Sequence, residues 1–232
     1  MLIFLVALAP VSALVIYFYH KDKYEKEPIS LLAKAFFGGF AITILAIIVE
    51  LFLMVAFGQI KLFLLGVFLK VFLIAGLIEE SCKFYVFRRL IYGNKEFNEP
   101  YDGIIYEVMI SIGFAALENL IYVTFSFMKS GLAGLINVGI LRAIFTVPAH
   151  TCWGTIMGYY LGLAKFTNVK KMEQKYISRG WLMSILAHGV YDFCIFVNTT
   201  FGLAYMAIIF IFSWKFVLEK VKIQVEKSPF KE

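Results

Sequence analysis

Residues 60–83 read IKLFLLGVFLKVFLIAGLIEESCK. As a helix rising ~1.5 Å per residue, the apolar part, 60–78, is nearly long enough to cross a hydrocarbon core about 30 Å thick. Two carboxylates and a lysine, Glu79, Glu80 and Lys83, follow before the helix has reason to end. Buried in a bilayer, each costs on the order of 2.5–3.5 kcal/mol, so such groups are paired, wetted by a cavity, or used. This stretch therefore implies a membrane helix with partners elsewhere in the chain.

Composition agrees with that setting. Of 232 residues, 61% are hydrophobic and 16% charged, and mean hydropathy is +0.83, well beyond a soluble domain. The expected fold is all-α, a polytopic integral membrane bundle of about seven transmembrane helices in one domain, 1–232. The expected spans are 2–19, 35–57, 60–78 (continuing as helix through Leu90), 103–127, 132–164, 181–197 and 203–218. Gly58 and Gln59 suit a tight turn, 92–102 and 165–179 suit loops, and 219–232 reads as a short charged cytosolic tail. Nothing basic precedes the first span as a signal peptide would require, so it reads as a retained helix. The fifth span is too long for one straight crossing, and a re-entrant or kinked segment is expected near 132–148, where Arg142, Pro148 and His150 lie.

The net charge of +6 does not form a nucleic-acid surface, because the basic residues sit in short loops between apolar spans. Seventeen of the 22 lysines and arginines fall in loops one, three and five and the C-terminal segment; only Lys61 and Lys129 fall on the opposite side. By the positive-inside rule the N-terminus is outside and the C-terminus cytosolic, with the lipid bilayer as the chain's immediate partner. Cys82, Cys152 and Cys194 are scattered singly, giving neither a disulfide framework nor a thiolate metal site.

The remaining polar residues inside spans are the candidate chemistry. Glu79 and Lys83, four apart, share a helix face, and Glu80 is three from Lys83. One lysine neutralises one glutamate; the other must find a partner on another helix, or hold a proton, as a general base near neutral pH does. Glu107 and Glu118 lie three turns apart on one helix; Glu107 reads as a packing contact, Glu118 with Asn119 as part of the site. His150 heads a stripe with Gly154, Gly158 and Gly162 that lets another backbone approach closely, and Arg142 lies two turns earlier. His188 and Asp192, again four apart, suit an oriented imidazole, a metal pair or a site around a reacting carbonyl. Contributions from four helices point to a shared wet cavity, leaving open a protease, a metal-dependent protease through Glu79, His150, His188 and Asp192, or a proton- or ion-coupled transporter.

These residues also carry a resemblance. EESCK at 79–83, YDGIIYEVMISIGFAALEN at 101–119, PAHTCWGTIMGYYLG at 148–162 and LAHGVYDF at 186–193 resemble, in order, the motifs of the PrsW family of bacterial membrane proteases, and YFYHKDKYEKEP at 17–28 is similar to its N-terminal segment. The family is more distantly similar to type II CAAX prenyl endopeptidases and bacteriocin-protection proteases. The resemblance implies location in the bacterial cytoplasmic membrane and site-1 cleavage of a single-pass anti-sigma factor, freeing an extracytoplasmic-function sigma factor. It also implies water activation without a cofactor or metal: Glu79 as base, Glu80 in support, His150 and His188 as the histidines. Two positions depart from the prenyl-protease pattern. Asp192 stands where that pattern has an oxyanion-donating Asn, a role Asn119 could fill, and Phe145 stands five rather than four residues before His150.

Overall fold

In the computed structural model, residues 1–57, 63–197 and 200–231 are described, and they contain helix and no strand. The turn expected at Gly58 and Gln59, and the start of the third span at Ile60, lie outside the described residues. An apolar backbone without water must satisfy its own N–H and C=O groups, and helices do so within each segment. The elements are α1 Leu2–Lys21, α2 Ile29–Phe57, α3 Phe63–Phe68, α4 Leu77–Leu90, α5 Pro100–Leu141, α6 Val147–Lys165, α7 Lys170–Val197 and α8 Thr200–Glu226. A π-helical segment, Leu69–Gly76, joins α3 to α4, and another, Arg142–Thr146, joins α5 to α6. The third span thus continues as helix through Leu90, as its sequence implies.

α5 is two arms. The chain reverses at Ser130 and Gly131, where Gly131 takes φ +59°, a left-handed conformation that costs a glycine little. Beyond this hairpin, 132–165 runs as one helix of about 50 Å. Of the two readings of 132–148, re-entrant or kinked, the structure adopts the second: the π-helical turn lies immediately before Pro148, whose missing N–H and ring disturb the preceding turn. Counted this way the described residues make seven helical rods, compatible with seven crossings.

The rods are longer on the basic side than the apolar spans suggest. α2 starts at Ile29 rather than residue 35, α5 at Pro100 rather than 103, α7 at Lys170 within the expected loop, and α8 reaches Glu226 into the expected tail. Loss of hydrophobicity ends a membrane span but not the backbone ladder. At the start of α5, for example, the Asp102 carboxylate accepts from the Asn98 and Glu99 N–H groups, each at 2.8 Å.

The glycine stripe sets the central packing. A Cβ at Gly103 would lie 2.7 Å from the Gly162 nitrogen, one at Gly158 2.8 Å from the Ile104 Cα, and one at Gly154 2.6 Å from Ser111 Oγ. α5 and α6 therefore touch backbone to backbone, antiparallel, bringing residue 150 level with residue 118. Most of the α5 residues from Tyr101 to Ala116 are fully buried, whereas α2 turns Ile44, Ile48, Phe52 and Val55 outward, as lipid requires.

Candidate active site

Glu79, Glu80 and Lys83 occupy the first two turns of α4 and are buried at 5%, 0% and 0% exposure. Lys83 does not choose its i−4 partner. Its Nζ lies 2.6 Å from Glu80 Oε1, 3.4 Å from Glu79 Oε2 and 3.1 Å from His150 Nδ1, over the Phe114 ring at 4.5 Å. Glu80 is closed off by a second contact, His188 Nδ1 at 2.9 Å. Glu79 instead looks outward, with His188 Nε2 4.0 Å away.

From these contacts the tautomers follow. An ammonium only donates, so His150 Nδ1 accepts from Lys83, and the ring proton sits on Nε2, 3.0 Å from Glu118 Oε2. Glu118 also takes Arg142 at 3.3 Å. His188 is flanked by carboxylates on both nitrogens, Glu80 at Nδ1 and Asp192 Oδ2 at 3.4 Å from Nε2. Its ring lies parallel to the Trp153 indole, centroids 3.7 Å apart with 10° between planes.

A cavity of about 300 Å³ is lined by Glu79, Glu118, Arg142, His150, His188 and Asp192, so six of the nine residues singled out in the sequence meet in one space. Glu80 and Lys83 stand behind it. Asn119 does not reach it: its Nδ2 donates to the Ala7 carbonyl at 2.6 Å and its Oδ1 accepts from Arg142 Nε at 2.7 Å, with the side chain fully buried. Both ends of the Asn119 amide are thus engaged away from the cavity, contrary to an oxyanion-donor role, and the residue braces Arg142 against α1. Asp192 remains beside His188 Nε2, as an orienting acceptor.

Sequence reasoning left out Glu50, Lys70, Tyr122, Trp153 and Tyr191, all in the cavity wall. Glu50 was visible as the sole ionisable group of its span, but nothing in the sequence placed α2 opposite α4. Glu107 is buried as a packing residue would be, yet neither carboxylate oxygen has a partner.

The lining also locates the cavity along the rods. Glu50 is seven residues from Phe57 and Asp192 five from Val197, about 10 Å and about 8 Å of helix. The cavity thus extends from the middle of the bundle toward the end bearing the 57–63, 130–131 and 197–200 connections, away from the basic loops.

Donors of the kind a metal needs are present. Glu79, Glu118 and His150 offer ligand atoms within 4.8 Å of one another, and so do Glu79, Glu80 and His188; Asp192 belongs to neither group. The four carboxylates Glu79, Glu80, Glu118 and Asp192 face two fixed cations, Lys83 and Arg142. Glu50 and Lys70 add one charge of each sign to the wall, and the remaining excess of carboxylates is balanced by protons, one of them on His188 between Glu80 and Asp192, or by a cation. His188, anchored through Nδ1 by Glu80, presents Nε2 as a ligand with the carboxylate support metal-bound histidines use. His150 would first have to release the proton it directs at Glu118. Glu79 and His188 would supply two of the three protein donors a catalytic metal takes, the third member of their group, Glu80, being engaged by Lys83.

A family model described as PrsW family intramembrane metalloprotease matches residues 27–217. The chain is 36% identical over 214 residues to the Protease PrsW of Geobacillus kaustophilus, covering 92% of this chain and 88% of that one. For the Protease PrsW of Clostridioides difficile the identity is 33%, covering 95% and 90%, and for that of Bacillus subtilis 34%, covering 93% and 92%. No solved structure matches.

Proposed function

Because this chain belongs to the PrsW family of membrane proteases, we propose that it is a glutamate-type endopeptidase making the site-1 cut in a single-pass anti-sigma factor. The observation that carries the assignment of roles is the division of the two glutamates. Glu79 lines the cavity, whereas Glu80 is sealed behind it by Lys83 and His188.

Glu79 takes a proton from water as its oxygen adds to the scissile carbonyl carbon, and returns that proton to the leaving amide nitrogen as the C–N bond breaks. Products are a carboxyl and an amine. The Nε2 N–H of His188 is the donor nearest the developing oxyanion, while that of His150 stays with Glu118. Glu80 and Asp192 hold the His188 ring, Trp153 fixes its plane, and Arg142, braced by Asn119, holds Glu118. Lys83 keeps Glu80 ionised and Glu79 in place.

A metal-dependent form of the reaction is the second reading, favoured by the excess of carboxylates over fixed cations in the cavity and by the family's description. Glu79 and His188 would hold the ion, which would supply a more acidic water and a polarised carbonyl. Glu80, Trp153 and the Arg142–Glu118 pair would keep their supporting places, whereas Asp192 would give up its contact with His188 Nε2.

The cavity's direction supports cleavage outside the cytosol of a bacterial cell. It extends toward the end of the bundle poor in basic residues, which the positive-inside rule assigns to the exterior.

The test is cleavage of a tagged anti-sigma factor co-reconstituted in liposomes with wild type, Glu79→Gln or Glu80→Gln, with product termini sequenced. The expected result is cutting by wild type on the exterior side, none by Glu79→Gln, and residual cutting by Glu80→Gln. Cleavage by Glu79→Gln at the wild-type rate would remove Glu79 from the mechanism. Loss of wild-type cleavage under chelator, restored by zinc, would select the metal-dependent form.

A further inference from the structure

On the basic side of the bundle, the first and last helices enclose a second hollow of about 440 Å³. Its wall carries His20, Lys21 and Lys23 at the end of α1 and Lys222 on α8, over an apolar floor that includes Val221 and Val225. None of Lys21, Lys23 and Lys222 pairs with a carboxylate within 4 Å among the described residues. The one acid in the wall, Glu226, pairs with Lys231 and also faces Lys23 and Lys222, leaving the cations in excess.

His20 also borders an adjoining groove of about 460 Å³ between α1 and α2, lined by apolar side chains such as Val15, Ile16, Leu32, Phe36 and Met109. The two hollows meet at that residue, one cationic and one apolar. We infer that together they bind one anionic phospholipid, its phosphate among Lys21, Lys23 and Lys222 and an acyl chain in the α1–α2 groove. Charge complementarity names the headgroup: a cluster of unpaired ammonium groups at the inner interface attracts an anionic lipid, and a zwitterionic one far less. Two facing helices frame this hollow, unlike the basic surface of α7, where Lys170, Lys171 and Lys175 lie on the first turns of a single helix.

The experiment counts phosphatidylglycerol and phosphatidylcholine retained by the purified full chain, by native mass spectrometry across a lipid titration. Wild type is compared with the triple variant Lys21→Gln, Lys23→Gln, Lys222→Gln and a control triple, Lys170→Gln, Lys171→Gln, Lys175→Gln. At roughly fivefold per lysine, the pocket triple should bind phosphatidylglycerol about 100-fold more weakly. The control should change it by less than about threefold, since those lysines line neither hollow. Lys222→Gln alone, read beside the triple, should lose roughly fivefold and covers the case in which the triple fails to fold. Equal losses in both triples, equal affinity for phosphatidylcholine, or no change in Lys222→Gln would overturn the site. Displacement of the lipid by millimolar inorganic phosphate would also overturn it, identifying a free-anion pocket.

Discussion

Replacing Lys83 by Met tests the electrostatic core of the site. The substitution keeps most of the side-chain volume and removes one charge that Glu80 meets at 2.6 Å and Glu79 at 3.4 Å. At an effective dielectric of about 20, the gross attractions are ~6 and ~5 kcal/mol. Most of that is offset by the several kcal/mol needed to bury each ion, so the expected net destabilisation is about 3–5 kcal/mol. It arises chiefly from stranding Glu80, which has no exposure and whose other oxygen has no partner. Adding Glu80→Gln removes the stranded charge, and the double variant should recover about 2 kcal/mol or more, a coupling within the range for contacting groups. Denaturant unfolding of the four proteins in one detergent, followed by tryptophan fluorescence, measures the cycle. A Lys83→Met protein as stable as wild type, or strictly additive effects, would refute the assignment of Lys83 as the counter-ion of Glu80.

Gly158→Ala should destabilise by ~3 kcal/mol, because its methyl would meet the Ile104 Cα at 2.8 Å and force α5 and α6 apart. Gly93→Ala, with nothing within 4 Å, should stay within about 0.5 kcal/mol, both variants being measured by the same denaturant unfolding. Trp153→Ala frees the His188 ring it stacks on at 3.7 Å and should lower cleavage about 100-fold, with Trp153→Phe recovering most of it. Burial pushes the Asp22 carboxyl up to about 6 and that of Glu99 up to about 7. Both bind a proton more tightly folded than unfolded, so the stability these two groups contribute is full below about pH 4 and is lost as pH rises through 6–7. Asp22→Asn should flatten that fall in unfolding scans by up to about 3 kcal/mol, and an unchanged pH dependence would contradict it.

The two glutamates show where sequence reading stops. Spacing placed Glu79 and Lys83 on one face and left Glu80 to one side, yet Lys83 sits closer to Glu80. A lysine side chain is long enough to reach either, and the choice was made by His150 and His188 arriving from α6 and α7. Asn119 likewise sat in the right motif for an oxyanion donor, but α1 brings the Ala7 carbonyl against it. A contact across 112 residues leaves no local trace in the chain.

Hydrophobic periodicity and charge asymmetry were enough to determine a helical membrane bundle and to single out the intramembrane polar residues, six of which line one cavity, because a bilayer penalises each polar group one at a time. Placement depended on the glycine contacts between α5 and α6, the reversal at Gly131 and the extension of helices beyond their apolar spans. Together these decided which carboxylate faces the cavity, which is locked behind it, and toward which end of the bundle the cavity extends. Those outcomes depend on approach distances between distant segments, to which local propensity and composition are blind.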